Sequence, residues 1–276
     1  MSISNNFITQ FFNSKISNIL PNILPNILIK KIINKKNIYF LKIKINKLPQ
    51  TNYAFNFSKN DLENFLNKIE IEKHKLPFNE FPHLALLLKY IFKSKPSFSI
   101  LDYGAQFIDN YLYLKNKNPE MIYYYHDQKN NNLTIQKFID EKKLKNIYVF
   151  ENIKEKQSLK YDFVYFGSVV QYLENYKEIF TEILFNKPKY IFLSGTNFYF
   201  KNSEEKIICK QLNVFPQINY CYFFNYEHMV SFLKTKKYHI EYVSENLNGK
   251  PINYKHINKS IKDDCKYLDI LFKLEE

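Results

Sequence analysis

Short apolar runs alternate with segments of helical spacing over the second half of this chain. The runs fall at residues 98–101, 121–125, 146–150, 162–166 and 190–193. Each has the length of a buried strand and is bounded by polar or turn-forming residues. Between them, apolar positions recur at helical spacing. One helix begins near Phe107 and runs through Tyr111 and Leu114, a second covers 133–142, and a third covers 176–184. After residue 193 comes a long connection, then a helix over 226–234 and two more strands, 239–243 and 267–272. Strands alternating with helices predict an α/β fold, a doubly wound, Rossmann-like sheet. Seven strands are expected, the last two forming an antiparallel pair at the edge.

The chain ahead of this pattern reads differently. Residues 81–92 predict a helix with Leu84, Leu87, Leu88 and Ile91 on one face. Residues 59–73 predict another, with Leu62, Phe65, Leu66 and Ile69 aligned and Ser58 or Asp61 as its cap. Residues 19–30 hold a small repeat, Ile-Leu-Pro-Asn twice and then Ile-Leu-Ile-Lys, in which Pro21 and Pro25 prevent a long helix. The run is too short and too interrupted by Asn to span a bilayer, and it lacks the cleavage site of a signal peptide. Two readings stay open for residues 11–36: a loosely packed arm, or peripheral contact with an anionic membrane. In the second, Lys30, Lys31, Lys35 and Lys36 would sit at the head groups. Residues 37–48 read as a short strand or a solvated edge. The expected organisation is a basic, proline-broken arm at 1–50, a helical lead-in at 51–95 and the α/β domain at 96–276.

Composition narrows the function. The 276 residues carry a net charge of +13 from 40 basic residues, all of them lysine. A basic protein attracts polyanions, but without arginine it lacks the planar fork that reads phosphate and guanine. Nucleic acid is therefore disfavoured as a partner. The three cysteines show no metal-ligand spacing and read as buried thiols in a reducing, cytoplasmic setting. The six histidines form no metal-binding pair either, so no metal is expected.

Candidate chemistry lies at the strand ends. The first strand closes in Leu101-Asp102-Tyr103-Gly104, followed by Ala105 and Gln106. A glycine turn there lets backbone approach a nucleotide-type ligand. Asp127, followed by Gln128, ends the second strand about 20 residues later, where a carboxylate binds ribose hydroxyls. Asp102 is placed to attract an ammonium group. Asn152 and Ile153, after the third strand, stand where an adenine edge and face would be met. The fourth strand ends in Gly167-Ser168, and Val169-Val170-Gln171-Tyr172-Leu173 forms a turn. Gln171 and Tyr172 are candidates to orient an acceptor.

These motifs resemble a family of class I S-adenosylmethionine (SAM) methyltransferases met in bacterial surface-polysaccharide and other glycan gene neighbourhoods. Leu101-Asp102-Tyr103-Gly104 matches part of its Leu-Asp-Phe-Gly-Gly-Gly motif. Asp127-Gln128 is similar to its acid-Gln pair, and Val170-Gln171-Tyr172-Leu173 resembles its Leu-Gln-Tyr-Leu turn. A later stretch, Asn213-Val214-Phe215-Pro216 through Tyr220-Cys221-Tyr222 to Phe224-Asn225-Tyr226-Glu227, looks like the family as well. The resemblance covers about residues 76–244. It implies SAM as cofactor, held by Asp102, Tyr103, Gly104, Ala105, Asp127, Gln128, Asn152, Ile153, Gly167, Ser168 and Val169. It also implies a small-molecule or glycan acceptor. The expected location is the cytoplasm, from the cysteines, with peripheral contact at the inner face of the membrane as the open reading of residues 11–36. Two departures stand out. Ala105 and Gln106 replace glycines, and Ser194-Gly195-Thr196-Asn197 stands where the family has Asp-Arg-Thr-Pro. They leave open a non-catalytic scaffold or binding subunit with this fold. A nucleic-acid methyltransferase is a third reading, which gains from the net charge but lacks the Pro-Pro-Tyr type turn after strand four.

Overall fold

In chain order the strands and helices are β1 (Ile38–Lys42), β2 (Ser99–Tyr103), α1 (Asp109–Lys117), β3 (Ile122–His126), α2 (Lys129–Lys142) and β4 (Ile147–Val149). Then come β5 (Phe163–Gly167), a 3-10 turn (Val170–Tyr172), α3 (Tyr176–Leu184), β6 (Tyr190–Tyr199), β7 (Lys206–Leu212) and β8 (Ile218–Asn225). The chain ends with α4 (Tyr226–Thr235), β9 (Tyr238–Glu245), β10 (Ile252–Asn253) and β11 (Cys265–Leu274). This computed structural model describes residues 38–42, 97–151, 159–201, 204–212, 218–245, 252–253 and 264–276, with Asn64, Leu84, Leu88, Ile91 and Phe92 besides. Of the expected helix at 59–73, Asn64 is described and is helical; the repeat at 19–30 lies outside the described residues. Of the expected helix at 81–92, Leu84, Leu88 and Ile91 are helical, and Leu84 and Leu88 are buried.

Seven strands form the order β4-β3-β2-β5-β6-β11-β9. The first five are parallel. Strand β11 lies antiparallel to both neighbours, β6 and β9. The seven expected strands and their antiparallel end are therefore present. Strand order reverses between β2 and β5, which opens a crevice at their carboxyl ends. Parallel strands covered on both faces need apolar side chains on both, and this explains the uninterrupted runs. On one face Ile100, Tyr123, Tyr125 and Phe163 pack with Tyr111 and Leu114 of α1 and with Ile135 and Ile139 of α2. On the other, Leu101, Val164, Phe166, Ile191 and Leu193 pack with Phe180 and Ile183 of α3 and with Met229 and Leu233 of α4.

The long connection expected after residue 193 is instead more sheet. Strand β6 runs ten residues, all of them buried. Its first half pairs with β5, and its last residues, Phe198 and Tyr199, pair in parallel with Phe224 and Asn225 of β8. Strand β8 pairs antiparallel with β7, and β7 with β1, which also takes β10 in parallel. Residues 38–42 thus form a paired strand rather than a solvated edge. A small third core fills one face of this extension, built from Tyr199, Ile207, Cys209, Cys221, Phe223 and Cys265. All three cysteines are buried thiols. Burial pushes the Cys265 thiol up to about 12, so it stays protonated and inert at neutral pH.

Candidate active site

The site forms where β2, β3 and β5 end. Beyond β2 the chain turns at Gly104, with φ +71°. A side chain here would strain the backbone, and a Cβ would collide with Cγ2 of Val169. Gly104 and Ala105 both donate their N–H groups to the His126 carbonyl, at 2.7 and 3.2 Å. Gln106 is also left-handed, at φ 55°, and its N–H donates to Asp127 Oδ2 at 2.8 Å. Three consecutive N–H groups thus bind the turn to the end of β3.

Asp127 is half-buried. Its Oδ1 accepts from the Gln128 N–H at 2.7 Å. Besides the Gln106 N–H, its Oδ2 accepts from Asn131 Nδ2 at 3.0 Å and from the Tyr125 hydroxyl at 3.5 Å. A carboxylate offers about four lone-pair sites, so Oδ1 keeps room for a hydroxyl donor, while Oδ2 is filled. Buried Asn132 steadies this corner by accepting the Asp127 N–H at 2.9 Å and donating to the Phe150 carbonyl at 3.3 Å. Beside it, the Tyr103 and His126 rings lie 4.7 Å apart, and His126 stacks on Phe150 at 5.6 Å. His126 Nδ1 donates to the Phe150 carbonyl at 2.9 Å, since a carbonyl only accepts. Burial lowers the His126 pKa and lifts the Tyr103 phenol to about 12, so both rings are neutral.

Asp102 points away from this crevice. It is 1% exposed, on the α1 side of the sheet, where the Tyr123 hydroxyl and Asn110 Nδ2 donate to its Oδ2. Burial raises its pKa to about 7 against the opposing pull of those two donors. Its partners show it bracing the turn from beneath, with no face open to an ammonium group.

After β5 the chain turns at Ser168, at φ 54°, whose N–H donates to the Ser194 carbonyl at 2.8 Å. Ser168 Oγ and the Tyr267 hydroxyl share a hydrogen bond of 3.0 Å. Gln171 Nε2 donates to the Ser168 carbonyl at 2.8 Å. The Tyr172 hydroxyl donates to Gln211 Oε1 at 3.0 Å, and burial pushes its pKa far above the usual phenol value. Val169 lies against Gly104, so the two turns touch. The structure therefore brings together Tyr103, Gly104, Ala105, Asp127, Gln128, Gly167, Ser168 and Val169, with Gln171 and Tyr172 alongside. Asn152 and Ile153 lie outside the described residues. Sequence reasoning missed Gln211, Asn219 and Tyr267, which reach the same corner from β7, β8 and β11. One signal was available: Cys209 and Gln211, and again Asn219 and Cys221, set an amide two places from a thiol within apolar strands.

No protein-family model matches the chain, and no curated protein matches it in sequence. Among solved structures, it is similar to the O-methyltransferase of a trans-AT polyketide synthase multienzyme of Brevibacillus brevis, in complex with S-adenosyl-L-homocysteine. The TM-score is 0.52 and the identity 14%, over 84% of this chain and 85% of that one. The fold is that of the SAM-dependent methyltransferases. Two further likenesses carry the same kind of name. One is the Burkholderia thailandensis 1,6-didemethyltoxoflavin N1-methyltransferase, with a TM-score of 0.49 and 10% identity over 86% of this chain and 95% of that one. The other is a SAM-dependent methyltransferase from Clostridium acetobutylicum, with a TM-score of 0.46 and 11% identity over 78% and 99%. In this methyltransferase fold, the glycine turn and the Asp127 corner stand at the switch point, where a nucleotide ligand binds.

Proposed function

We propose that the protein is a SAM-dependent methyltransferase acting on a glycan precursor or nucleotide-linked sugar in surface-polysaccharide assembly, in the cytoplasm at the membrane's inner face. The observation that carries the reading is Asp127, a half-buried carboxylate at the end of β3, bonded to the Gly104 turn that borders the switch point, with Oδ1 able to accept one more hydrogen bond. The residues fit a ribose-bearing cofactor. Asp127 would take its hydroxyls, with Tyr103, Gly104, Ala105, Gln128 and Gly167 to Val169 around it. SAM, when bound, supplies an already activated methyl group. The chain's own task is to align the acceptor, and alignment contributes about 7–11 kcal/mol. His126, with Nδ1 committed to Phe150, and Tyr172, with its raised pKa, make poor general bases. The reading therefore places proton release to water after or during transfer, and gives Gln171 and Tyr172 the role of orienting the acceptor.

Calorimetric titration with S-adenosylhomocysteine tests it. Binding that Asp127→Ala weakens tenfold or more, about 1.4 kcal/mol, supports the enzyme. A second reading, a non-catalytic scaffold or binding subunit, draws on the three donors that fill Asp127 Oδ2 and on Gln106 in place of a glycine. No heat at millimolar ligand would put that reading ahead.

A further inference from the structure

Where the β7–β8 extension meets the turn after β5, several amides are buried without full hydrogen bonding. Gln171 and Asn219 are 3% exposed and Asn197 is 2% exposed. Gln171 Oε1, Asn197 Oδ1 and Asn219 Nδ2 have no hydrogen-bond partner among the described residues. The orientation of Gln171 is set, because its Nε2 donates to a carbonyl. Two chains of contacts join these groups. Gln171 binds Ser168, Ser168 binds Tyr267, and Tyr267 lies directly across the strand pair from Asn197. Next to Gln171 in sequence, Tyr172 binds Gln211, which lies across from Asn219.

Each unmade buried hydrogen bond costs about 1–3 kcal/mol. Three of them lie around one corner, beside the proposed methyl-transfer site, where a ligand with matching groups would satisfy them. Its chemistry can be read from the groups. Among the described residues, the polar side chains of this corner are amides, phenols and a serine hydroxyl, all uncharged. The nearby carboxylate of Asp269 turns Oδ1 to Ser194 Oγ and the Gly195 N–H, at 2.9 and 2.8 Å. Two unmet acceptors and one unmet donor call for groups that both give and take hydrogen bonds. Hydroxyls do so, whereas phosphates and carboxylates only accept. Burying an unpaired anion among neutral amides is costly.

We infer that this corner, formed by Gln171, Tyr172, Asn197, Gln211, Asn219 and Tyr267, holds an uncharged sugar ring through its hydroxyls. The inference rests on the methyltransferase reading for what happens next. The acceptor oxygen gains the methyl carbon, its proton leaves to water, and the donor sulfonium is left as a thioether. Any phosphate carried by the acceptor lies outside the amide corner.

The test uses the full chain and saturation-transfer NMR with methyl glucoside, methyl galactoside and methyl rhamnoside, beside glucose 6-phosphate and glucuronate. The neutral glycosides are expected to give signals at millimolar concentration and the charged sugars are not. Gln171→Leu and Asn219→Leu keep the side-chain volume and remove the unmet polar atoms. Asn219→Leu is expected to unfold at equal or higher urea than the parent, and Gln171→Leu, which also loses the bond to the Ser168 carbonyl, at lower urea. Both are expected to keep S-adenosylhomocysteine binding and to lose glycoside binding by about tenfold or more, 1.4 kcal/mol. Preference for the charged sugars, or undiminished glycoside binding in both Leu variants, overturns the inference. So does a protein that binds S-adenosylhomocysteine and none of these sugars. Glycoside binding without S-adenosylhomocysteine binding upholds the sugar corner and overturns the methyltransferase reading instead.

Discussion

The Gln106 backbone N–H donates to Asp127 Oδ2 at 2.8 Å, so the acid that ends β3 shapes the turn that follows β2. Oδ2 is thereby occupied from within, together with Asn131 at 3.0 Å, which leaves Oδ1 to take one ribose hydroxyl and no oxygen for a second. The N–H belongs to the backbone and stays, whereas the Asn131 amide is free to swing away.

Asn131→Ala is therefore expected to tighten S-adenosylhomocysteine binding. A neutral hydrogen bond contributes about 0.5–1.5 kcal/mol net, so the gain is about two- to tenfold in calorimetric Kd. Weaker binding in this variant would show that Asn131 itself contacts the ligand.

Gly104→Ala is expected to destabilise the fold. The left-handed backbone costs a residue with a Cβ about 1–2 kcal/mol, and the collision with Val169 adds to it. Adding Val169→Ala should recover the collision part and leave the backbone part. Urea unfolding of the two variants and the parent separates the contributions.

Asp102 predicts a pH dependence. Its folded pKa, about 7, stands above its ordinary 3.8 because burial favours the neutral acid. Between these values the folded state holds more protons than the unfolded state, so stability falls as pH rises through the window. Asp102→Asn keeps an oxygen to accept from Tyr123 and Asn110 and cannot ionise. Its urea midpoint relative to the parent is expected to climb from about pH 4 to about pH 7 and then level off. A constant difference across that range would show that Asp102 remains ionised throughout.

The membrane contact proposed for residues 11–36 has its own measurement. Each lysine near an anionic surface contributes roughly 1 kcal/mol. At low salt the full chain is expected to float with anionic vesicles, and a chain lacking residues 1–36 to stay behind. Equal recovery of the two forms in the soluble fraction would count against it. Among the described residues no helix is long and apolar enough to cross a membrane.

Much of the α/β core was legible because parallel strands buried on both faces leave unbroken apolar runs. Helix α3 was expected at 176–184 and spans Tyr176–Leu184. Strand β7 escaped, since Lys206 to Leu212 shows neither a clean alternation nor an unbroken apolar run, and β8 was taken into the connection although Tyr220 to Phe224 is an unbroken apolar run. Strand β6 was cut short at residue 193 because Ser194, Thr196 and Asn197 read as loop. Asp269, 74 and 75 residues away, keeps them in the strand by accepting from Ser194 and the Gly195 N–H. The placement of Asp127 opposite the glycine turn followed from spacing. The burial of Asp102 did not, because its partner Tyr123 is 21 residues away and the contact depends on side-chain reach across neighbouring strands.

Strand β6 serves both halves of the molecule with one unbroken backbone. Its middle, at Ser194, lies beside the carboxyl end of β5, which borders the crevice where the cofactor is proposed to lie, and its last two residues carry the β7–β8 extension. A domain joined by a loop can swing, but one joined through a shared strand has no hinge at the seam. Reorienting the extension would break the β6–β8 ladder or the β6–β11 ladder. The distance from the Asp127 corner to the amide corner is consequently set when the chain folds, and an acceptor meets a spacing that is already made.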